Sequence, residues 1–266
     1  MDAALVDRAF IGVSGPDAED YMQGQLSQDV ASGAGLSWLL EPNGKVVALL
    51  RFVRLGDDFR LDTDPEAADA VLARLRRFLL RTKAEVDRVD GPHLLRVFDA
   101  PRLPEAQVVT AWPTGEDVQD LVVPDPAAEV ERLGSSLLDP REYERRRILA
   151  AVPVSGVDVG ADTIPAEAGR WTIEQAVSFT KGCYTGQELV ARIDSRGGNV
   201  PRPLRVLRFE GTVAAGDDVL DGEGQVVGRL TSAAGDVAMG PLARRVEVGA
   251  VVAAASAGGV TGSVVR

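Results

Sequence analysis

Sulfur and imidazole are almost missing from this 266-residue chain, which has one cysteine, Cys183, and one histidine, His93. A disulfide framework, a Cys-x-x-Cys redox pair and a His-rich zinc site are excluded together. No metal or cluster can be held by the chain's own ligands unless carboxylates do the work. His93 follows Gly91-Pro92 and precedes Leu94-Leu95, where it reads as a turn or half-buried residue rather than the base of a Ser-His-Asp triad. Positive charge is also short. Lysine and arginine number 29 against 40 acids, a net charge of −11, which argues against tight sequence-independent binding to DNA, other nucleic acid or anionic lipid. Long apolar runs are lacking too: Val46–Leu50 stops at Arg51, and Val248–Val265 is diluted by Gly, Ala and Ser. The start, Met1-Asp2-Ala3-Ala4, has neither the basic nor the apolar region of a secretory signal. The expectation is a soluble, cytoplasmic protein with a reduced thiol and no membrane partner.

What is present is a globular composition, 45% hydrophobic, and a length that suits two domains or three small ones. Ser14-Gly15-Pro16-Asp17 reads as a capping-box helix start, with Ala18, Tyr21, Met22 and Gln25-Leu26 at helical spacing. Leu36–Leu40, Lys45–Val53 and Phe59–Asp62 read as a β-meander turning at Glu41-Pro42-Asn43-Gly44 and at Leu55-Gly56-Asp57-Asp58. A second helix opens at Asp64-Pro65-Glu66, and strands follow at Glu85–Val89 and Leu94–Phe98, an α+β pattern. Between Ala100 and Pro140, six prolines interrupt every candidate element. Asp139-Pro140 restarts a helix that runs to about Ala150, and Thr172 with Gln175 caps a short one. From Arg202-Pro203 onward, short strands with turns at Asp221–Gly224, Ala234–Asp236 and Gly258-Gly259 suggest a small barrel or sandwich.

The stretch Lys181-Gly182-Cys183-Tyr184-Thr185-Gly186-Gln187-Glu188 carries the most chemistry. Thr185 and Glu188 have capping-box spacing, and Leu189, Val190 and Ile193 form the apolar stripe of the helix behind them. Cys183 therefore falls just ahead of a helix N-terminus, with Lys181 two residues away. Both favour thiolate, and Gly182 and Gly186 leave room for a ligand. The other reading of a lone cysteine is a small buried hydrophobe, with Lys, Gln and Glu as solvated caps.

These residues, with Val190-Ala191-Arg192 and Arg196-Gly197, resemble the signature of the YgfZ family, folate-binding relatives of the glycine-cleavage T-protein. Val13–Ala18 and Gln23–Val30 resemble the family's N-terminal helix motif, and Pro42–Lys45 its hairpin turn. Arg147-Ile148 through Val152-Pro153, with Pro165–Glu167, resembles the lead-in to the signature. The resemblance implies an α+β, three-lobed cloverleaf with a C-terminal small β-barrel. Its lobes would be a folate-binding lobe over 1–100, a second α+β lobe with the signature over 101–200, interleaved with the first, and the barrel over 201–266. It further implies tetrahydrofolate, or a one-carbon derivative of it, as cofactor. The implied partners are iron–sulfur enzymes or cluster-assembly proteins, including enzymes that methylthiolate tRNA. Cys183 would be the reactive thiolate or transient ligand. The folate contacts would come from Lys181, Gly182, Tyr184, Gly186, Gln187, Glu188, Arg192, Arg196, Glu167 and Trp171, with no resident metal.

Two departures from the T-protein pattern separate the chain from an aminomethyltransferase. The paired acids after the hairpin glycine fall on Ala48 and Leu49, and the pterin-gripping acid falls on Leu149. Rival readings are a tetrahydrofolate-dependent one-carbon transferase and a non-catalytic interaction module with a degenerate folate cleft. Trp38 and Trp171 are either pterin-stacking or core aromatics, and Glu167 is either the replacement acid or a cap. Arg192 and Arg196 either meet a folate carboxylate or form surface salt bridges. Arg145-Arg146-Arg147 reads as a helix end that complements the dipole, with a tRNA or partner contact as the other reading.

Overall fold

A computed structural model describes residues 1–255 and 259–266. In chain order the elements are β1 (Asp2–Val6), β2 (Ala9–Ser14), α1 (Ala18–Gln25), β3 (Ala34–Leu40), β4 (Val46–Leu55), β5 (Asp58–Thr63), α2 (Ala68–Arg77) and β6 (Glu85–Val89). There follow β7 (His93–Phe98), β8 (Val108–Ala111), β9 (Asp117–Val123), α3 (Pro126–Leu133), β10 (Ser136–Leu137), α4 (Pro140–Leu149), α5 (Arg170–Ala176) and α6 (Gln187–Ser195). The chain ends in β11 (Leu204–Phe209), β12 (Asp218–Leu220), β13 (Val226–Arg229), β14 (Ser232–Ala234), β15 (Val237–Pro241), β16 (Val251–Ala254) and β17 (Val260–Val264). Gly259 is described, whereas Gly258, its partner in the expected turn, lies outside the described residues.

Three sheets organise these elements. The antiparallel sheet β3-β4-β5-β2-β6 buries one face against α1 and α2, because alternate residues of β4, Ala48, Leu50 and Phe52, meet Met22, Leu26, Val71 and Leu75. The opposite parity puts Leu49 into a second core with Trp38, Ile173, Tyr184 and Val190, so β4 is covered on both sides. A second sheet, β10-β1-β7-β9-β8, draws β1 and β7 to strands that follow residue 107, so the chain crosses between sheets after Val6 and again near Gly91. The last sheet, β13-β12-β16-β17-β11-β15-β14, is antiparallel and curls until Gly228 bridges Leu242, making a half-barrel around Leu207, Val219, Leu230 and Val252.

Several local expectations are corrected. Pro16 does not open α1: the helix begins at Ala18, and the Asp17 carboxylate accepts from the Lys83 N–H, 2.8 Å away, instead of capping. Thr172 lies inside α5, its hydroxyl donating to Gly169 O at 2.8 Å. The prolines of 100–140 delimit elements rather than abolish them. Pro126 occupies the first turn of α3, Asp125 caps it through the Ala127 and Ala128 N–H groups, and left-handed Gly134 ends it. The helix at Pro140 is capped by Asp139 as expected. His93 is exposed at the first position of β7.

Candidate functional site

A cavity of about 230 Å³ opens between the first two sheets and α4. Its walls combine Leu36, Leu49, Trp112 and Trp171 with the arginines Arg8, Arg51, Arg96 and Arg147. Each arginine is matched. Arg8 bonds Asp62 and Asp64, while Arg51 bonds Asp62 on its own sheet and Asp120 on the neighbouring one. Arg96 grips both oxygens of Asp120, at 2.7 and 2.9 Å, and donates to the Tyr143 hydroxyl at 2.9 Å. Burial alone raises the Asp120 carboxyl, but Arg51 and Arg96 outweigh it and hold it down at about 2. Arg147 binds Glu144 at 2.5 Å, Asp158 at 2.9 Å and the Ser232 hydroxyl at 2.7 Å, tying α4 to the half-barrel.

What remains unpaired is more telling. Asp7 and Glu66 line the cavity as exposed carboxylates with no hydrogen bond or ion pair among the described residues. The indole N–H of Trp171, another residue of this wall, is a buried donor without an acceptor among the described residues. Leu49 also stands in the wall, and its N–H is taken by the Ser155 hydroxyl at 2.9 Å. Leu149 packs against the core around Ile148 and Leu204.

The loop 178–187 forms a second assembly on the far side of the Leu49–Trp171 core, into which Tyr184 inserts. It is pinned to the end of α1. The Ser178 N–H donates to Ser27 O at 2.9 Å, the Thr185 N–H to Gly24 O at 3.0 Å, and the Lys181 ammonium to the carbonyls of Gln23, Leu26 and Gln28 at 2.6, 2.8 and 3.1 Å. Gly186, with φ +85°, seats the loop on the β3–β4 hairpin, where an added Cβ would lie 2.7 Å from Glu41 O. Residues 23–30, 42–45 and 181–188, far apart in sequence, thus meet on one surface.

At its apex Cys183 is exposed, with the Gln187 amide donating to Sγ across 3.8 Å, and Phe179 stands 54% exposed close by in the chain. Gln187 also accepts from the Tyr184 N–H at 2.9 Å. The Thr185–Glu188 box does not form. Left-handed Gly186 is the N-cap of α6, Thr185 bonds Gly24, and Glu188 pairs with Arg192 at 2.5 Å.

Of the residues expected to contact folate, Trp171 alone lines the central cavity among the described residues. Lys181, Gly182, Tyr184, Gly186, Gln187 and Glu188 belong to the thiol loop, while Arg192 and Arg196 lie on and just past α6. Glu167 is buried and accepts from the Ile164 N–H at 3.1 Å, at the edge of a separate cleft beside the half-barrel. Trp38 is fully buried core. The run Arg145–Arg147 is spent on carboxylates: Arg145 on Asp236, Arg146 on Asp2 and Glu142, and Arg147 on Glu144 and Asp158. Sequence reasoning missed the Arg8–Asp62–Arg51–Asp120–Arg96 chain; its one local trace is Arg51 interrupting an apolar strand.

The whole chain matches the fold of the crystal structure of the glycine cleavage system aminomethyltransferase T from Bartonella henselae, with a TM-score of 0.75 at 19% identity, covering 100% of this chain and 85% of that one. By fold it is a T-protein-like chain. It is 31% identical over 226 residues to the tRNA-modifying protein YgfZ of Edwardsiella ictaluri, covering 73% of this chain and 67% of that protein. To the tRNA-modifying protein YgfZ of an Enterobacter species it is 30% identical over 224 residues, covering 74% and 68%. No protein-family model matches it. The chain belongs to the YgfZ family.

Proposed function

We propose that this chain is a folate-binding accessory protein that supports iron–sulfur enzymes, among them enzymes of tRNA modification, with tetrahydrofolate in the central cavity and Cys183 as a working thiol. The observation that carries the folate half is the unpaired set at the cavity wall: the Trp171 N–H, the Asp7 and Glu66 carboxylates and the apolar faces of Leu36, Leu49 and Trp112. A pterin is a flat ring with an amino-pyrimidine edge. Apolar walls would sandwich it, Asp7 or Glu66 would accept from its amino edge, and the indole would donate to a ring acceptor. The family's link with folate and iron–sulfur enzymes, and the relatives' name as tRNA-modifying proteins, point the same way. Bound tetrahydrofolate would supply a carrier for one-carbon units; this chain's own residues would hold and orient the ring.

The thiol half is supported by an exposed sulfur on a loop tethered on both sides, with exposed Phe179 nearby as an apolar contact for a client. One cysteine cannot hold a cluster unaided, so its role is a transient ligand or nucleophile toward a partner. Anaerobic calorimetric titration with tetrahydrofolate tests the first half: saturable binding is expected, and none at millimolar ligand removes it. For the second, Cys183→Ala is expected to keep fold and folate affinity while lowering client iron–sulfur enzyme activity in complementation; full complementation removes it.

A further inference from the structure

We propose that Lys181 is the positioning residue of Cys183, closing the end of α1 from 153 to 158 residues away in sequence and so fixing the thiol at the apex of its loop, rather than contacting folate. This rests on the reading of Cys183 as a working thiol.

The last carbonyls of a helix have no partner within it. Here Gln23 O, inside α1, and Leu26 O and Gln28 O, just beyond it, converge on one ammonium. An ammonium has three protons, and three carbonyls take them, so no donor is left for a ligand. A lysine suits the place because its donors rotate freely on a slender stem, which a planar guanidinium does not reproduce. The ammonium sits 5.4 Å from the Tyr184 ring centroid, on the side of the loop that enters the core.

Cys183 lies between two tethers, Lys181 to the 23–28 segment and Thr185 to Gly24, which leave Gly182 and Cys183 outward. The charged group facing the ammonium is Asp29; the Tyr184 phenol, pushed up to about 12 by burial, faces it as a neutral ring. Burial pushes Lys181 itself down to about 8 against the pull of Asp29. The charge is thus kept in a place that disfavours it, which an ordinary surface lysine has no reason to do.

The test compares wild type with Lys181→Met and Lys181→Arg by amide hydrogen exchange, tetrahydrofolate titration and client complementation. Lys181→Met is expected to speed exchange at the Ser178 and Thr185 amides about tenfold or more, to leave β5 amides and folate affinity unchanged within about twofold, and to lower client activity toward the Cys183→Ala level. Lys181→Arg is expected to restore part of the protection, because it keeps a cation. Unchanged exchange in Lys181→Met overturns the proposal, as does a tenfold loss of folate affinity with loop protection intact. The exchange comparison stands whether or not wild type binds tetrahydrofolate, and Cys183→Ala separately tests the thiol, so failure here is distinct from failure of either half of the function.

Discussion

Arg51 on β4 and Asp120 on β9 form a buried ion pair that joins two sheets, and each holds a further opposite charge, Asp62 for Arg51 and Arg96 for Asp120. Removing one member strands the others. Asp120→Ala is expected to cost about 3–5 kcal/mol, because two buried guanidinium groups lose their shared carboxylate. Equilibrium urea unfolding checks this as a lower midpoint; a loss under 1 kcal/mol contradicts it.

The same carboxylate sets an acid limit. The Asp120 pKa is depressed to about 2 in the folded chain and returns to its ordinary value near 3.8 on unfolding. Its stabilisation is therefore fully present above about pH 4 and lost as pH falls toward 2, on the order of 2 kcal/mol. Carbon-13 carboxyl shifts followed by NMR should show no Asp120 inflection above pH 3.

Lysine 181 gives the opposite window. Its pKa is depressed to about 8 when folded against 10.5 when exposed, so the cost of burying the ammonium is fully present below pH 8 and relieved as pH rises from 8 to 10.5. The pH dependence of the Lys181 side-chain carbon-13 shifts is expected to show a midpoint near 8 in the folded chain; a midpoint above 10 contradicts it.

Gly186→Ala is expected to lower Tm by roughly 4–8 °C, equivalent to about 2 kcal/mol. The left-handed φ of +85° and the approach to Glu41 O both exclude a side chain. Calorimetric scanning decides; an unchanged Tm means the hairpin yields freely.

Trp171 separates stacking from hydrogen bonding in the proposed folate site. Trp171→Phe deletes the indole N–H and should weaken tetrahydrofolate by about fivefold, near 1 kcal/mol. Trp171→Ala also removes the ring face and should cost more than tenfold. Equal affinities in all three chains would place the ligand elsewhere.

Elements with local signals were legible in the sequence. The β3–β4 hairpin, the α2 face of Val71 and Leu75 and the Asp139-Pro140 start of α4 all show in a few adjacent residues. Caps were less so, because Thr185 donates its N–H and hydroxyl to the carbonyl of Gly24 instead of accepting from its own helix. The Arg145–Arg147 run looked cationic because two of its partners, Asp236 and Asp2, lie 91 and 144 residues away, although Glu142, Glu144 and Asp158 are close by. The cavity was illegible for a related reason: Arg8 and Asp62 are 54 residues apart and Arg51 and Asp120 are 69 apart, and nothing in a strand's alternation announces a partner on another sheet.

A single outward sulfur also determines how this protein ages in air. Cys183 has no second cysteine in its own chain to close a ring with. Mild oxidation therefore ends either in a covalent pair of chains joined at the loop apex or in a climb past sulfenic acid to forms that thiol reductants do not reverse. An aged preparation would divide on a non-reducing gel into two bands, and only the heavier would return to normal with dithiothreitol.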